Sequence, residues 1–159
     1  MGYGDMGMIN ETLSGITGCI RLIFCDVNTG AERIAEYQNV VTAVCKNMIA
    51  RRLAGEANTC DITYIAVGTG AGVPGVADTI LFTELERNLN TSISAGGAIV
   101  TITGFFGASE AIGVLTEVGA FGEGATAAAD SGVLINHATI AETKSSSETL
   151  TVEIILTIN

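Results

Sequence analysis

Acid–base or nucleophilic catalysis in this chain would depend on one histidine. His137 is the single histidine, so a serine triad or a cysteine–histidine pair would have to use it. It lies in the alternating segment 133–140, and the sequence contains no G-x-S-x-G nucleophile turn. We therefore interpret His137 as a structural histidine that faces solvent or an interface. We expect no enzymatic activity.

Glu117 is the carboxylate with the most unusual sequence surroundings. It lies among apolar residues in the segment 113–121. A carboxylate buried in such a segment needs a partner. Arg87 is the natural candidate because it interrupts another segment of low charge, and Glu110 remains an alternative partner. We predict a structural ion pair between Arg87 and Glu117 that fixes the register of two strands.

The most glycine-dense segment, residues 68–75, invites comparison with a nucleotide-binding loop. The dinucleotide fingerprint places G-x-G-x-x-G between a strand and a helix, with an acidic residue about 20 residues further on. Here Pro74 interrupts the motif, no periodic helix follows, and the GK[ST] of a P-loop is absent. We expect a flexible loop that permits close backbone approach, and no cofactor.

The cysteines are Cys19, Cys25, Cys45 and Cys60, which form no CxxC pair and have no metal-ligand spacing. We therefore expect no bound metal. Cys19 and Cys25 lie on one face of one predicted strand, about 20 Å apart at about 3.3 Å per residue, so they cannot bond to each other. Two alternatives remain open. The thiols are reduced and mostly buried, or Cys19, Cys25 and Cys60 form disulfides with another subunit.

Composition argues against several classes of partner. The 159 residues include 17 acidic and 7 basic ones, a formal charge of -10. No basic surface for nucleic acid is expected. Charged residues make up 15% of the chain and hydrophobic residues 48%, which argues against disorder. Neither a signal peptide nor a long uninterrupted apolar segment is present, so we expect no membrane partner.

The apolar periodicities predict a mainly β protein with one helix. Residues 17–38 have the pattern of a hairpin, and residues 150–158 show the cleanest alternation in the chain. The helix is expected at about residues 42–54, capped by Thr42 or Asn39. About seven to nine short strands favour an antiparallel β-sandwich or an open barrel with the helix packed across it.

The first 17 residues differ from the rest because they show no sustained period. We interpret residues 1–17 as a flexible arm. A single domain follows at 18–159, composed of a hairpin at 18–38 and a core at 39–159. The apolar residues of the arm are Met6, Met8, Ile9 and Leu13. They are apolar enough to bind a groove, so we expect the arm to act in assembly.

Four segments carry a family resemblance. They are N-V-V-T at 39–42 with C-K-N-M-I-A at 45–50, I-T-Y-I-A-V-G-T-G at 62–70, T-E-L-E-R at 83–87 and G-V-L-T-E-V-G-A-F at 113–121. In order and spacing they resemble motifs of tailed-bacteriophage virion structural proteins of the tail-fibre-like or tail-collar-like group. The sequence departs from that pattern at Val44-Cys45 and at Ala120, and residues 1–38 lie outside the match.

The resemblance implies a non-enzymatic virion building block with no catalytic residues to carry over. We expect a tail, fibre or baseplate protein that is made in the host cytoplasm and resides in the virion. Its expected partners are other virion proteins and further copies of itself in a homo-oligomer. The alternatives are a capsid decoration protein, or a module that binds a host receptor or glycan through the loops 68–78 and 122–132.

Overall fold

Strands dominate the computed structural model, which describes residues 15–56 and 61–159. The elements are β1 (Ile16–Asp26), β2 (Glu32–Val41), α1 (Ala43–Leu53), β3 (Ile62–Gly68), β4 (Glu84–Gly96), β5 (Ile99–Phe106), β6 (Gly113–Gly122), β7 (Val133–Lys144) and β8 (Glu148–Ile158). The expected mainly β protein with one helix is thus confirmed for the described residues.

The eight strands close into an antiparallel barrel in the order β1-β2-β7-β6-β3-β4-β5-β8. The expectation of a sandwich or an open barrel is corrected here. The reason is β8, which pairs with β1 along one edge and with β5 along the other. Because both edges of β8 are paired, the sheet has no free edge at that point and continues around the barrel.

Alternating side chains fill the barrel interior. Ile20, Leu22 and Phe24 of β1 are completely buried, and the alternate residues of β8, including Val152 and Ile154, are buried opposite them. The same register places Cys19 and Cys25 on the outer face of β1. Period-two alternation in the sequence therefore corresponds to the division of both strands into a buried and a less buried face.

The seam between β2 and β7 is closed mainly by side chains. Backbone register between the two strands is limited to Val40 and Val41 of β2. Further along, Tyr37 Oη donates a hydrogen bond to Glu142 of β7 at 2.6 Å, and Arg33 Nη1 lies 2.6 Å from the same carboxylate. Charged and phenolic groups therefore join the two strands where they diverge.

Helix α1 lies across one mouth of the barrel. The Thr42 hydroxyl accepts a hydrogen bond from the Cys45 N–H and donates one to the Leu134 carbonyl, so one side chain caps the helix and joins it to β7. Cys45 and Met48 are buried in the barrel core. Gly55 follows the helix with a φ of 87°, the left-handed conformation expected after a helix end.

A second apolar cluster lies on the outer face of the barrel wall. Ala66 of β3, Phe121 of β6 and Leu134 of β7 pack with Leu81 there. Leu81 belongs to the long connection between β3 and β4, which we name the 69–83 segment. This segment covers part of the wall that an ordinary barrel exposes to solvent. No helix among the described residues is long and apolar enough to cross a membrane.

The burial of Met48 leads to a stability prediction. Met48→Asp places a charge in the apolar core, so we expect the domain to unfold or become insoluble. Asn47→Asp is the matched control, since Asn47 is exposed on the same helix. Circular dichroism and solubility of the two variants test the prediction. A soluble Met48→Asp variant with a native spectrum would contradict it.

Glu148 leads to a prediction about acid stability. Its pKa is held below the ordinary glutamate value, first by the hydrogen bond from Arg33 and then by the Ser145 N–H. A carboxyl with a lowered folded pKa stabilises the fold at higher pH, and this contribution disappears as pH falls through the folded pKa. Glu148→Gln should therefore flatten the decline of melting temperature below about pH 4. Glu32→Gln, at an exposed position of β2, should leave that decline unchanged.

Candidate functional site

The single histidine lies beneath the 69–83 segment, on the outer face of β7. His137 is completely buried. Its Nε2 lies 2.8 Å from Glu117 Oε2 and its Nδ1 lies 2.7 Å from Asp78 Oδ2. The Phe82 ring packs against the imidazole with 4.7 Å between ring centroids. The expectation that His137 faces solvent or an interface is wrong, because the 69–83 segment folds back over this strand.

Glu117 accepts hydrogen bonds from both ends of the 69–83 segment. Its Oε1 accepts the Gly70 N–H at 2.9 Å and the Thr83 N–H at 2.7 Å, and its Oε2 accepts the Phe82 N–H at 2.8 Å. With His137 as a fourth donor, the acceptor capacity of the carboxylate is well used. One side chain of β6 thus holds the beginning and the end of a long connection.

Asp78 holds the middle of the same segment. Its Oδ2 contacts the imidazole of His137 and accepts the Gly75 N–H at 2.8 Å. Each ring nitrogen of His137 thus faces one carboxylate, and the imidazole joins the middle of the segment to Glu117. We name Asp78, Glu117 and His137 the buried triad.

Glycines permit the close approach between the 69–83 segment and Glu117. A Cβ atom at Gly70 would lie 2.6 Å from Glu117 Oε1 and 2.4 Å from Phe82 Cβ. A Cβ at Gly68 would lie 2.5 Å from the same carboxylate oxygen. Any side chain at either position would displace the backbone from Glu117. Thr116 adds a hydrogen bond from its hydroxyl to the Gly70 carbonyl at 2.6 Å.

The predicted ion pair between Arg87 and Glu117 does not form. Arg87 binds Glu84 in a bidentate pair, with Nε–Oε1 at 2.5 Å and Nη2–Oε2 at 2.6 Å, and both side chains are buried. The register places Arg87 opposite Ala66 on one side of β3, whereas Glu117 belongs to β6 on the other side. Each charge has its own partners, so the sequence identified two buried charges but not their pairing.

Arg87 serves a different part of the structure from Glu117. Its Nη1 donates hydrogen bonds to the carbonyls of Thr126 and Ser131, and its guanidinium lies over the Phe121 ring at 4.3 Å from the centroid. These contacts hold the connection between β6 and β7. The alternative partner Glu110 instead accepts hydrogen bonds from Asn88 and from the Gly107 N–H.

Lys144, at the end of β7, is a buried cation that the sequence analysis did not single out. Its side chain is almost fully buried, and its Nζ donates to the Ala108 carbonyl at 3.3 Å. Burial lowers the pKa of this amine, while the neighbouring carboxylates of Glu148, Glu110 and Glu86 raise it. The lysine therefore holds the β5–β6 connection against the barrel end opposite α1.

An apolar cavity of about 540 Å³ opens at the other end, between α1 and the barrel mouth. We name it the α1 cavity. Its described lining comprises Cys45, Met48, Ile49, Arg52, Leu53, Ile62, Ile93, Ala95, Val100, Ile135, Leu156 and Ile158. Alternation in β4 and β5 predicts their inward faces, but only the position of α1 shows that these faces border a cavity.

The remaining predicted site residues are only partly described. Cys19 and Cys25 are half-buried on β1 and form no disulfide within the described part of the chain, so their predicted bond to another subunit stays a prediction. Cys60 lies outside the described residues, so the inter-subunit disulfide stays a prediction. The proposed arm residues also lie outside the described part of the chain. They are Met6, Met8, Ile9 and Leu13. β1 begins at Ile16 and therefore includes the last two residues of the segment that we assigned to the arm.

The buried triad contains the side chains of an acid–base site, but their arrangement serves to hold the backbone of the 69–83 segment. Its carboxylates lie at opposite ring nitrogens of His137, so the three groups do not converge on one ion. Within residues 15–56 and 61–159, no cluster of His, Cys, Asp and Glu could hold a metal. The hydrogen bonds of Glu117 all come from its own chain and hold the 69–83 segment in place.

No family model, curated protein or solved structure matches this chain. Its function is therefore argued from the geometry described above and from the motifs of the sequence.

The position of Glu117 leads to a prediction about stability and local order. Glu117→Ala removes an acceptor for three backbone N–H groups and leaves His137 without one of its carboxylates. We expect a loss of about 3–5 kcal/mol in the free energy of unfolding, as for a broken buried pair. Amide exchange should accelerate at Gly70, Phe82 and Thr83.

Glu153→Ala is the control for this prediction. Glu153 forms an ion pair with Arg21 on the partly exposed outer face of the barrel. Loss of such a surface pair costs about 1 kcal/mol or less. Chemical denaturation of both variants provides the comparison. Equal stability of the Glu117→Ala variant and the unmodified protein would exclude the proposed role of Glu117.

Proposed function

We propose that this protein is a non-enzymatic structural component of a tailed-bacteriophage virion, located in the tail, its fibres or its baseplate. The observation that carries the proposal is spatial. The segments that resemble tail-fibre-like or tail-collar-like proteins meet around the buried triad. Gly70 and Thr83 donate to Glu117, and Val40 of the first segment pairs with His137.

This convergence supports the proposal because separate short motifs become one structural unit. Each motif by itself is a weak signal. Together they supply the carboxylate, the glycines that approach it and the backbone donors that bind it. The segments that carry the resemblance therefore contain the residues that hold the 69–83 segment against the barrel wall. Proteins that share this fold need residues of this kind at these positions.

The surface of the 69–83 segment supports an assembly role. Val73, Val76, Ile80 and Phe82 are exposed there, and Val73 has 90% of its surface accessible. Several exposed apolar side chains on one short segment are typical of protein–protein contacts. The buried triad holds the backbone beneath them, so little ordering would be required on binding. We propose that this surface contacts another virion protein or another copy of the chain.

Purified virions provide the test of location. We expect the protein in the particle, made in the host cytoplasm and present in copy numbers set by a closed tail ring or fibre symmetry. Quantitative mass spectrometry and immunogold labelling measure copy number and position. Dense labelling over the head would instead favour the capsid decoration protein. Absence from the particle would refute the proposal.

The exposed apolar surface leads to a prediction about incorporation. Val73→Asp places a charge on the proposed contact surface and should strongly reduce incorporation into particles, because burying an unpaired charge is costly. Thr79→Asp is the matched control on the same segment, at an exposed polar position. The measurement is the ratio of variant to unmodified protein in virions from mixed expression. Equal incorporation of Val73→Asp would show that this surface is not a contact. Selective binding of the isolated protein to host cells would favour the receptor-binding alternative.

A further inference from the structure

The α1 cavity is an apolar surface of the barrel interior that the described chain leaves open. β4 continues past the end of its pairing with β3 at Leu89, and its hairpin with β5 places Ile93 opposite Ile102 and Ala95 opposite Val100. Ile93 lines the cavity and is nevertheless 50% exposed. An inward-facing isoleucine with half its surface accessible indicates a site that can accept apolar side chains.

The N-terminal segment joins the described structure at the rim of this cavity. Ile16 pairs with Ile158, which is itself a lining residue, and the Asn159 N–H donates to the Gly15 carbonyl. A Cβ atom at Gly15 would lie 3.9 Å from Lys46 Nζ of α1. Gly15, the first described residue, therefore lies beside the helix that borders the cavity.

The segment and the cavity are complementary in polarity and in charge. Residues 5–13 contain two methionines, an isoleucine and a leucine, together with Asp5 and Glu11. Methionine adapts well to irregular apolar sites. The helix contributes Lys46 beside Gly15 and Arg52 in the cavity lining. Acidic residues flanking apolar ones thus correspond to basic residues flanking an apolar cavity.

We propose that residues 5–13 of one copy bind in the α1 cavity of a neighbouring copy. The choice of a second copy rests on the proposed function, which requires contacts between chains. Gly15, where the described chain begins, and the α1 cavity lie at the same end of the barrel, so two copies that meet end to end could exchange the preceding residues reciprocally. Such an exchange forms a closed, self-complementary contact.

Variants on the two sides of the contact test the proposal in solution. Ile9→Asp alters the donor segment and Ile93→Asp alters the cavity. Each should raise the dissociation constant of self-association, measured by sedimentation, by about tenfold or more. The controls are Asn10→Asp in the segment and Ser92→Asp at the neighbouring exposed position of β4. Both should associate as the unmodified protein does, and circular dichroism verifies that all four variants fold.

Mixing the two variants identifies the source of the bound segment. Ile9→Asp retains an intact cavity and Ile93→Asp retains an intact segment, so an equimolar mixture should form pairs with one native contact. Binding of each segment in its own chain's cavity predicts no association on mixing, and that result would overturn the proposal. Monomeric behaviour of the unmodified protein at every concentration, or equal association of variants and controls, would also overturn it.

The experiment separates this inference from the proposed function. Copy counting in virions tests the function without reference to the segment. A protein found in virions whose Ile9→Asp and Ile93→Asp variants still self-associate would retain its proposed function and lose this contact. A protein absent from virions whose variants behave as expected would retain the reciprocal contact as a property of the chain and lose the virion role.

Discussion

The buried carboxylate of Glu117 is the interaction on which the outer layer of this protein depends. A charged group on the outer face of a barrel strand normally faces water. Here the 69–83 segment covers it and replaces water with three backbone donors and His137. Burial of a carboxylate is tolerable only with such compensation. Because an unsatisfied buried carboxylate is costly, the hydrogen bonds to Glu117 determine the path of the fifteen-residue 69–83 segment.

Different groups close the two ends of the barrel. At the end near Lys144, charged residues and carbonyls close the interior, and Arg33 joins β2 to β7 through carboxylates. At the opposite end, among residues 15–56 and 61–159, α1 covers the mouth only in part, and apolar side chains of the β4–β5 hairpin line the α1 cavity. This asymmetry separates a stable polar end from an end suited to contact with another chain.

The building-block role that we propose relies on these two features. The imidazole and carboxylates that resemble catalytic groups are fully engaged in holding the 69–83 segment. The surfaces that remain available are apolar, at Val73 on that segment and at Ile93 beside the α1 cavity. Val73 belongs to the segment that covers the outer wall of the barrel, whereas Ile93 lines the cavity at the barrel mouth. A domain with two separate contact surfaces can join more than one neighbour.

The sequence by itself determined the local features: the alternation of the strands, the helix near residues 42–54 with Thr42 as one of two candidate caps, and the burial of Arg87 and Glu117. The spacing of apolar residues and the types of a few neighbouring residues are sufficient to predict these local features. Only the tertiary structure decided closure of the barrel, the pairing of Arg87 with Glu84, the burial of His137 and the α1 cavity. Each depends on which distant strands become neighbours, because register between β3, β4 and β6 determines which charges can meet.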